Sequence, residues 1–197
     1  RLLLRGSTAP AGPAAAFVAG AVDTSRRHGG TIIVIAGWDH SAHVLLSWNT
    51  HHTQLSHPAT AGLGALAVAR AFSDLHVSPA GSSEEEEEEE GPLAVLRDAW
   101  AVGVASGSVF CGTLGTEALR VPVTLGATVT MVSMLTKLAH HIRVRVLCDA
   151  GVHARVRPNV RSRVVDVVRD DAGEEMVYEL TDDRVEADDI AYVEGFS

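Results

Sequence analysis

Five histidines, His40, His43, His51, His52 and His57, crowd one stretch of this 197-residue chain. Imidazoles at that density are the raw material of a zinc site. No HExxH spacing and no nearby thiolate accompanies them, so loop histidines are the expected reading. Ser106 and Ser108 flank Gly107, but they lack the strand-turn-helix setting of a hydrolase nucleophile. Cys111 and Cys148 make neither a zinc knuckle nor a disulfide framework, and both are expected to be buried as small apolar residues. His140 and His141 close a helical stretch, where cations suit the carbonyl end.

Composition narrows the classes. Hydrophobic residues make up 46% and charged residues 21%, which fits a globular core rather than a disordered chain. No apolar run reaches the ~18–20 residues of a membrane span. The net charge is −9, and seven negative charges lie in the run Glu84–Glu90, so the remainder is close to neutral. Fifteen arginines stand against the single Lys137, and seven of them fall between Arg143 and Arg169. A nucleic-acid footprint would interleave aromatics or add a recognition helix. Aromatics are only 5%, and Arg143, Arg145, Arg155, Arg157, Arg161 and Arg163 alternate as the outer face of strands would, so no nucleic-acid partner is expected. The sequence opens at Arg1 without a secretory n-region, and a piece of a longer intracellular, cytoplasmic protein is expected.

The elements that must position these residues follow from punctuation. A strand at Leu2–Leu4 runs into a turn, and Pro10–Pro13 leads into a helix over Ala14–His28 closed by Gly29-Gly30. Thr31–Ala36 and His43–Trp48 read as a hairpin around Gly37-Trp38-Asp39-His40. His57-Pro58-Ala59 opens a helix to about Leu75, with proline in the first turn where its missing N–H had no partner. Residues 77–92 carry the glutamate run and read as a flexible, solvated insertion. Trp100–Ala105 and Ser108–Cys111 read as short strands around Ser106-Gly107. Then come a strand at Arg120–Leu125, a helix at Ala127–His140, a strand at Arg143–Cys148 and a turn or short helix at Asp149–Arg155. Val164–Arg169 and Glu175–Leu180 form a closing hairpin. Residues 182–197 read as an acidic tail. The order implies an α+β domain with helices on one face of a mainly antiparallel sheet.

Three stretches in this order resemble the catalytic domain of class III nucleotidyl (adenylate/guanylate) cyclases. They are His28-Gly29-Gly30-Thr31-Ile32 with Gly37 and Leu46-Ser47-Trp48-Asn49; His57-Pro58-Ala59 through Gly64-Ala65-Leu66; and Val102-Gly103-Val104-Ala105-Ser106-Gly107 with Gly112-Thr113-Leu114-Gly115 and Val123-Thr124-Leu125-Gly126-Ala127-Thr128-Val129. Leu3-Leu4-Arg5-Gly6-Ser7-Thr8 is similar to the family's first strand. The resemblance implies one cyclase-homology domain over residues 1–181, with a ferredoxin-like fold.

Family chemistry is attack of a ribose 3′-hydroxyl on the α-phosphate of a nucleoside triphosphate, expelling pyrophosphate. Two carboxylates hold the divalent ions, and a donor meets the charge building on the α-phosphate. Carried over by position, the first-strand Asp falls on Leu3 and the turn Asp on Trp38, with Asp39 displaced by one residue. The base-reading Lys falls on Val34 and the base-reading Asp on Val121. The helix Asn and Arg fall on Thr130 and Met134. Leu, Val and Met bind no metal and stabilise no phosphate charge, so the fold is kept and the chemistry lost. No cofactor is expected beyond a weak cation candidate at Asp39. Mg²⁺ or Mn²⁺ enters only if the chain is half of a heterodimeric cyclase. The implied partner is another cyclase-like domain, as homo- or heterodimer, or a larger assembly, through Trp38, Trp48, Met131 and Met134. A third reading is a nucleotide sensor with a shallow pocket shaped by Gly112–Gly115 and Gly126.

Overall fold

The computed structural model describes residues 13–38, 41–50, 53–74, 100–170 and 173–182. Helix α1 (Pro13–Arg27) is closed by Gly29, whose φ of 76° only glycine adopts without cost, as Gly30 N–H returns to Ser25 O at 2.9 Å. Strands β1 (Thr31–Trp38) and β2 (Ser41–Ser47) form the expected hairpin, from Thr31 opposite Ser47 to Trp38 opposite Ser41, with a bulge between Ile32 and Val34. Helix α2 (His57–Asp74) follows. Its Ala and Gly residues bring it close to α1 and to α4 (Ala150–Val156).

The main sheet runs β3-β6-β8-β7, built from β3 (Val102–Val104), β6 (Val146–Cys148), β8 (Gly173–Asp182) and β7 (Arg161–Asp170). The β3/β6 pair is parallel and the other pairs are antiparallel, so the α+β reading with a mainly antiparallel sheet holds. Helices cover both faces rather than one. Val146 and Cys148 of β6 join a core with α2 and α4, while Leu147 between them joins a second core with Leu135 and Ala139 of α3 (Ala127–His141). Alternate side chains of one strand point to opposite faces, and all three of these are buried.

Two further departures concern connections. The expected strands on either side of Ser106-Gly107 do not pair. β3 enters the main sheet, whereas β4 (Phe110–Gly115) pairs with β5 (Arg120–Leu125) in a separate two-stranded ribbon. The arginines do not share one strand face either. Arg143 sits in a turn at φ 59°, and the Arg145 guanidinium lies 4.7 Å from the Trp100 ring centre. Arg155 is in α4 and Arg157 caps it, which leaves Arg161 and Arg163 on β7. Among the described residues no helix is long and apolar enough to cross a membrane. The strand at Leu2–Leu4, the insertion at 77–92 and the tail beyond residue 182 lie outside the described residues.

Candidate functional site

Helix α3 carries the two best-placed candidate positions. Gly126 opens it at φ 142°, and the Thr128 hydroxyl donates to Ser108 O at 3.1 Å, anchoring its first turn to the β3–β4 connection. Leu135 and Ala139 are buried, with Met131, Leu138 and Ile142 packed beside them against the sheet. Met131, expected at an interface, is partly buried against this core.

The adjoining stripe faces outward. Thr130, Ser133, Met134, Lys137, Leu138 and His141 line a shallow, open depression of about 560 Å³. It offers hydroxyls, a thioether, one ammonium and one imidazole, and no carboxylate. Such a set can meet an anion but holds no divalent cation. Lys137 was not singled out in the sequence. The available signal was its spacing, one turn beyond Met134 and two beyond Thr130 on the same stripe.

The other candidate positions are distributed between the two hairpins. Val34 lies on β1 opposite Leu45, and Val121 on β5 opposite Leu114; both are partly exposed. Trp38 ends β1, while Leu3, Asp39 and His40 lie outside the described residues, as do His51 and His52. His43 is on β2, and His57 begins α2 with its Nδ1 3.0 Å from Gln54 O. Among the described residues no three His, Cys, Asp or Glu side chains gather as a metal would require.

Trp48 packs partly buried against the monomer core. Its Nε1–H donates to His28 O at 2.8 Å, and its ring fills the space over Gly30 and Gly64, where added Cβ atoms would come within 2.8 and 3.0 Å of it. A residue expected at an interface is thus partly buried against this core. The glycines of the sensor reading lie at or beside the β4–β5 ribbon, Gly112 and Gly115 in β4 and Gly126 just after β5. The Phe110 ring covers Gly112, and the Leu119 carbonyl closes on Gly115.

Asp149 is a buried carboxylate that the sequence reading left unremarked. Its Oδ1 accepts from Val152 N–H at 2.8 Å, capping α4, and its Oδ2 accepts from Ser106 N–H at 2.7 Å. Burial raises its pKa above the usual range, with the two backbone donors pulling down and Glu175 pushing up. With both oxygens bonded to backbone amides, the role is structural. The visible signal was an Asp ahead of a short helix. Cys148, beside it, is buried as expected, and burial followed by the Asp149 charge pushes its pKa up to about 12. Cys111 is exposed, contrary to expectation, with its sulfur 3.7 Å from Thr124 Oγ1.

No protein-family model matches this sequence, and no curated protein matches it. The fold does have solved counterparts. A bacterial light-regulated adenylyl cyclase superposes with TM-score 0.63 at 14% identity, over 91% of this chain and 47% of that one. The guanylate cyclase domain of RhGC from Catenaria anguillulae, solved with GTP, gives 0.61 at 14% identity, covering 93% of this chain and 90% of that one. The dimeric guanylyl cyclase domain of the RhoGC fusion protein from Blastocladiella emersonii gives 0.57 at 13%, covering 85% and 80%. This chain has the fold of adenylyl and guanylyl cyclase catalytic domains. It spans about half the length of the light-regulated cyclase.

Proposed function

We propose that this domain keeps the cyclase fold without the cyclase chemistry and works by associating with another cyclase-like domain or within a larger assembly. The observation that carries the reading is the outward stripe of α3. There Thr130 and Met134, at the positions where the resemblance implies Asn and Arg, line an open depression beside Lys137. The Met134 thioether, where the resemblance implies Arg, has neither charge nor donor for the charge developing on an α-phosphate.

The metal side points the same way. Leu3 and Trp38 have no side-chain oxygen with which to hold Mg²⁺ or Mn²⁺, and both oxygens of the buried Asp149 already accept backbone N–H groups. Among the described residues no carboxylate pair fits two divalent ions, and no reaction step is assigned through them. Association draws support from the solved dimeric guanylyl cyclase domain of the same fold. The resemblance implies a contact face that includes Trp38 and Met134.

The test is incubation with ATP or GTP and either Mg²⁺ or Mn²⁺, alone and after mixing with a second cyclase-like domain. No cyclic nucleotide above a heat-inactivated control is expected from the domain alone. Turnover that disappears in Asp39→Ala overturns the reading. Turnover only in the mixture makes the chain half of a heterodimeric cyclase, and nucleotide binding without turnover makes it a sensor.

A further inference from the structure

Helices α3 and α4 pack on opposite faces of the main sheet, yet both are tied at their first turns to the same three residues, Ser106-Gly107-Ser108. On the α4 side, the buried Asp149 carboxylate caps the helix through Val152 N–H at 2.8 Å and holds Ser106 N–H at 2.7 Å. Asp149 N–H also donates to Val104 O at 3.2 Å, which fixes this residue to the end of β3. On the α3 side, the Thr128 hydroxyl donates to Ser108 O at 3.1 Å. Gly126 gives α3 no side-chain cap, so this bond anchors its first turn. The fit is close at both ends. A Cβ on Gly107 would come within 2.5 Å of Thr128 Oγ1, and one on Gly151 of α4 would overlap the Ser106 hydroxyl oxygen. Packed that tightly, the segment cannot move away from one helix without pressing on the other.

We infer that Ser106–Ser108 is a relay across the end of the sheet, coupling the first turn of α4 to the first turn of α3, with Asp149 and Thr128 as its two positioning residues. The chain of contacts is short and unbroken. It runs from Val152 N–H to the Asp149 carboxylate, through the backbone of Ser106 to Ser108, and on to the Thr128 hydroxyl. Coupling along it works equally in both directions. Its consequence falls on the outward stripe of α3, because Thr130 follows Thr128 in the anchored turn and lines the depression with Ser133 and Lys137. A contact that tightens or loosens α4 therefore reshapes that depression from the far side of the sheet. The relay holds whether or not the α3 stripe meets a partner, so its test is separate from that of the proposed function.

Amide hydrogen exchange of the full chain, resolved residue by residue, tests this. The reporters are Val129 and Thr130 N–H in α3, both bonded to Gly126 O, and Val152 and His153 N–H in α4, both bonded to Asp149. Asp149→Asn leaves one side-chain acceptor for two N–H groups. It should speed exchange about tenfold in the first turn of α4 and also in the first turn of α3, with the β7–β8 amides unchanged. Thr128→Val removes an exposed hydroxyl and should act from the other end, speeding Val152 and His153. In the double variant the accelerations should fall short of the product of the two single ones. Exchange that quickens only in the helix next to the substitution overturns the relay. Equal quickening throughout the domain overturns it too, as does full multiplication in the double variant. If Asp149→Asn does not fold, Thr128→Val decides alone, through Val152 and His153.

Discussion

The indole N–H of Trp48 and the carbonyl of His28 meet at 2.8 Å, tying the exit of β2 to the end of α1. Gly30 and Gly64 leave room for the ring between them, so the aromatic acts as a joint of the monomer. Trp48→Ala should therefore lower unfolding free energy by about 3 kcal/mol, as large-to-small core changes do. Trp48→Phe, which keeps a ring but loses the donor, should cost about 1 kcal/mol. Urea titrations measure both. A wild-type midpoint for Trp48→Ala would return this residue to the surface.

Asp149 links the end of β3 to the start of α4 through the N–H groups of Ser106 and Val152. Asp149→Ala removes a helix cap and strands a second donor, for a loss of about 2–3 kcal/mol. Its raised pKa fixes the sign of a pH effect. A carboxyl whose folded pKa lies above its unfolded value contributes most below the unfolded pKa, and loses that contribution as pH rises through the folded one. The stability of the wild type relative to Asp149→Asn should thus be greatest near pH 3, fall as pH rises past 3.8, and level off above the folded pKa. Paired denaturation curves across that range check it. A difference that grows with pH contradicts the assignment.

Gly103 lets β3 lie directly against α3. A Cβ there would sit 2.6 Å from the backbone oxygen of Val132 and 2.7 Å from the Thr136 nitrogen. A backbone cannot step aside as a side-chain end does, so Gly103→Ala should cost about 3 kcal/mol. Gly62→Ala in α2 meets the Val156 side chain instead, at 2.6 Å. A valine can shift and alanine favours helix, so this variant should be the milder of the two. Thermal melts of both rank them, and the reverse order would place the tight contact at α2/α4.

The helices were legible because their ends carry chemistry of their own: Pro13 and Gly29 for α1, Pro58 for α2, Gly126 and the histidine pair for α3. The hairpins β1–β2 and β7–β8 were legible as short runs rich in β-branched and apolar residues on either side of turn residues. The separation of β3 from β4 was not, because Ser106-Gly107 between two short apolar runs reads like any hairpin turn. The true partner of β3 is β6, far along the chain and parallel, and local pattern says nothing of such pairing. The same limit hid the stripe of α3. Met131 and Met134 look alike by type, yet one turn of a helix sets the first against Leu135 and the second beside Lys137.

That separation bears on the α3 face. Met134 is partly exposed at the rim of the depression, while Leu135 next to it is fully buried. Met134→Glu should leave the monomer folded, since the new carboxylate reaches water and lies one turn from Lys137, a pairing of about 0.2–0.5 kcal/mol in a helix. Leu135→Glu would bury an unpaired charge in the second core and should not fold at all. If α3 contacts a partner, a charge at 134 must be desolvated there or repel the apolar groups that meet it. Association should then weaken while the far-UV spectrum stays that of the wild type. Sedimentation of Met134→Glu beside its folded parent makes the comparison. Unchanged association would remove α3 from the contact face, and loss of the far-UV spectrum would show that Met134 is part of the core.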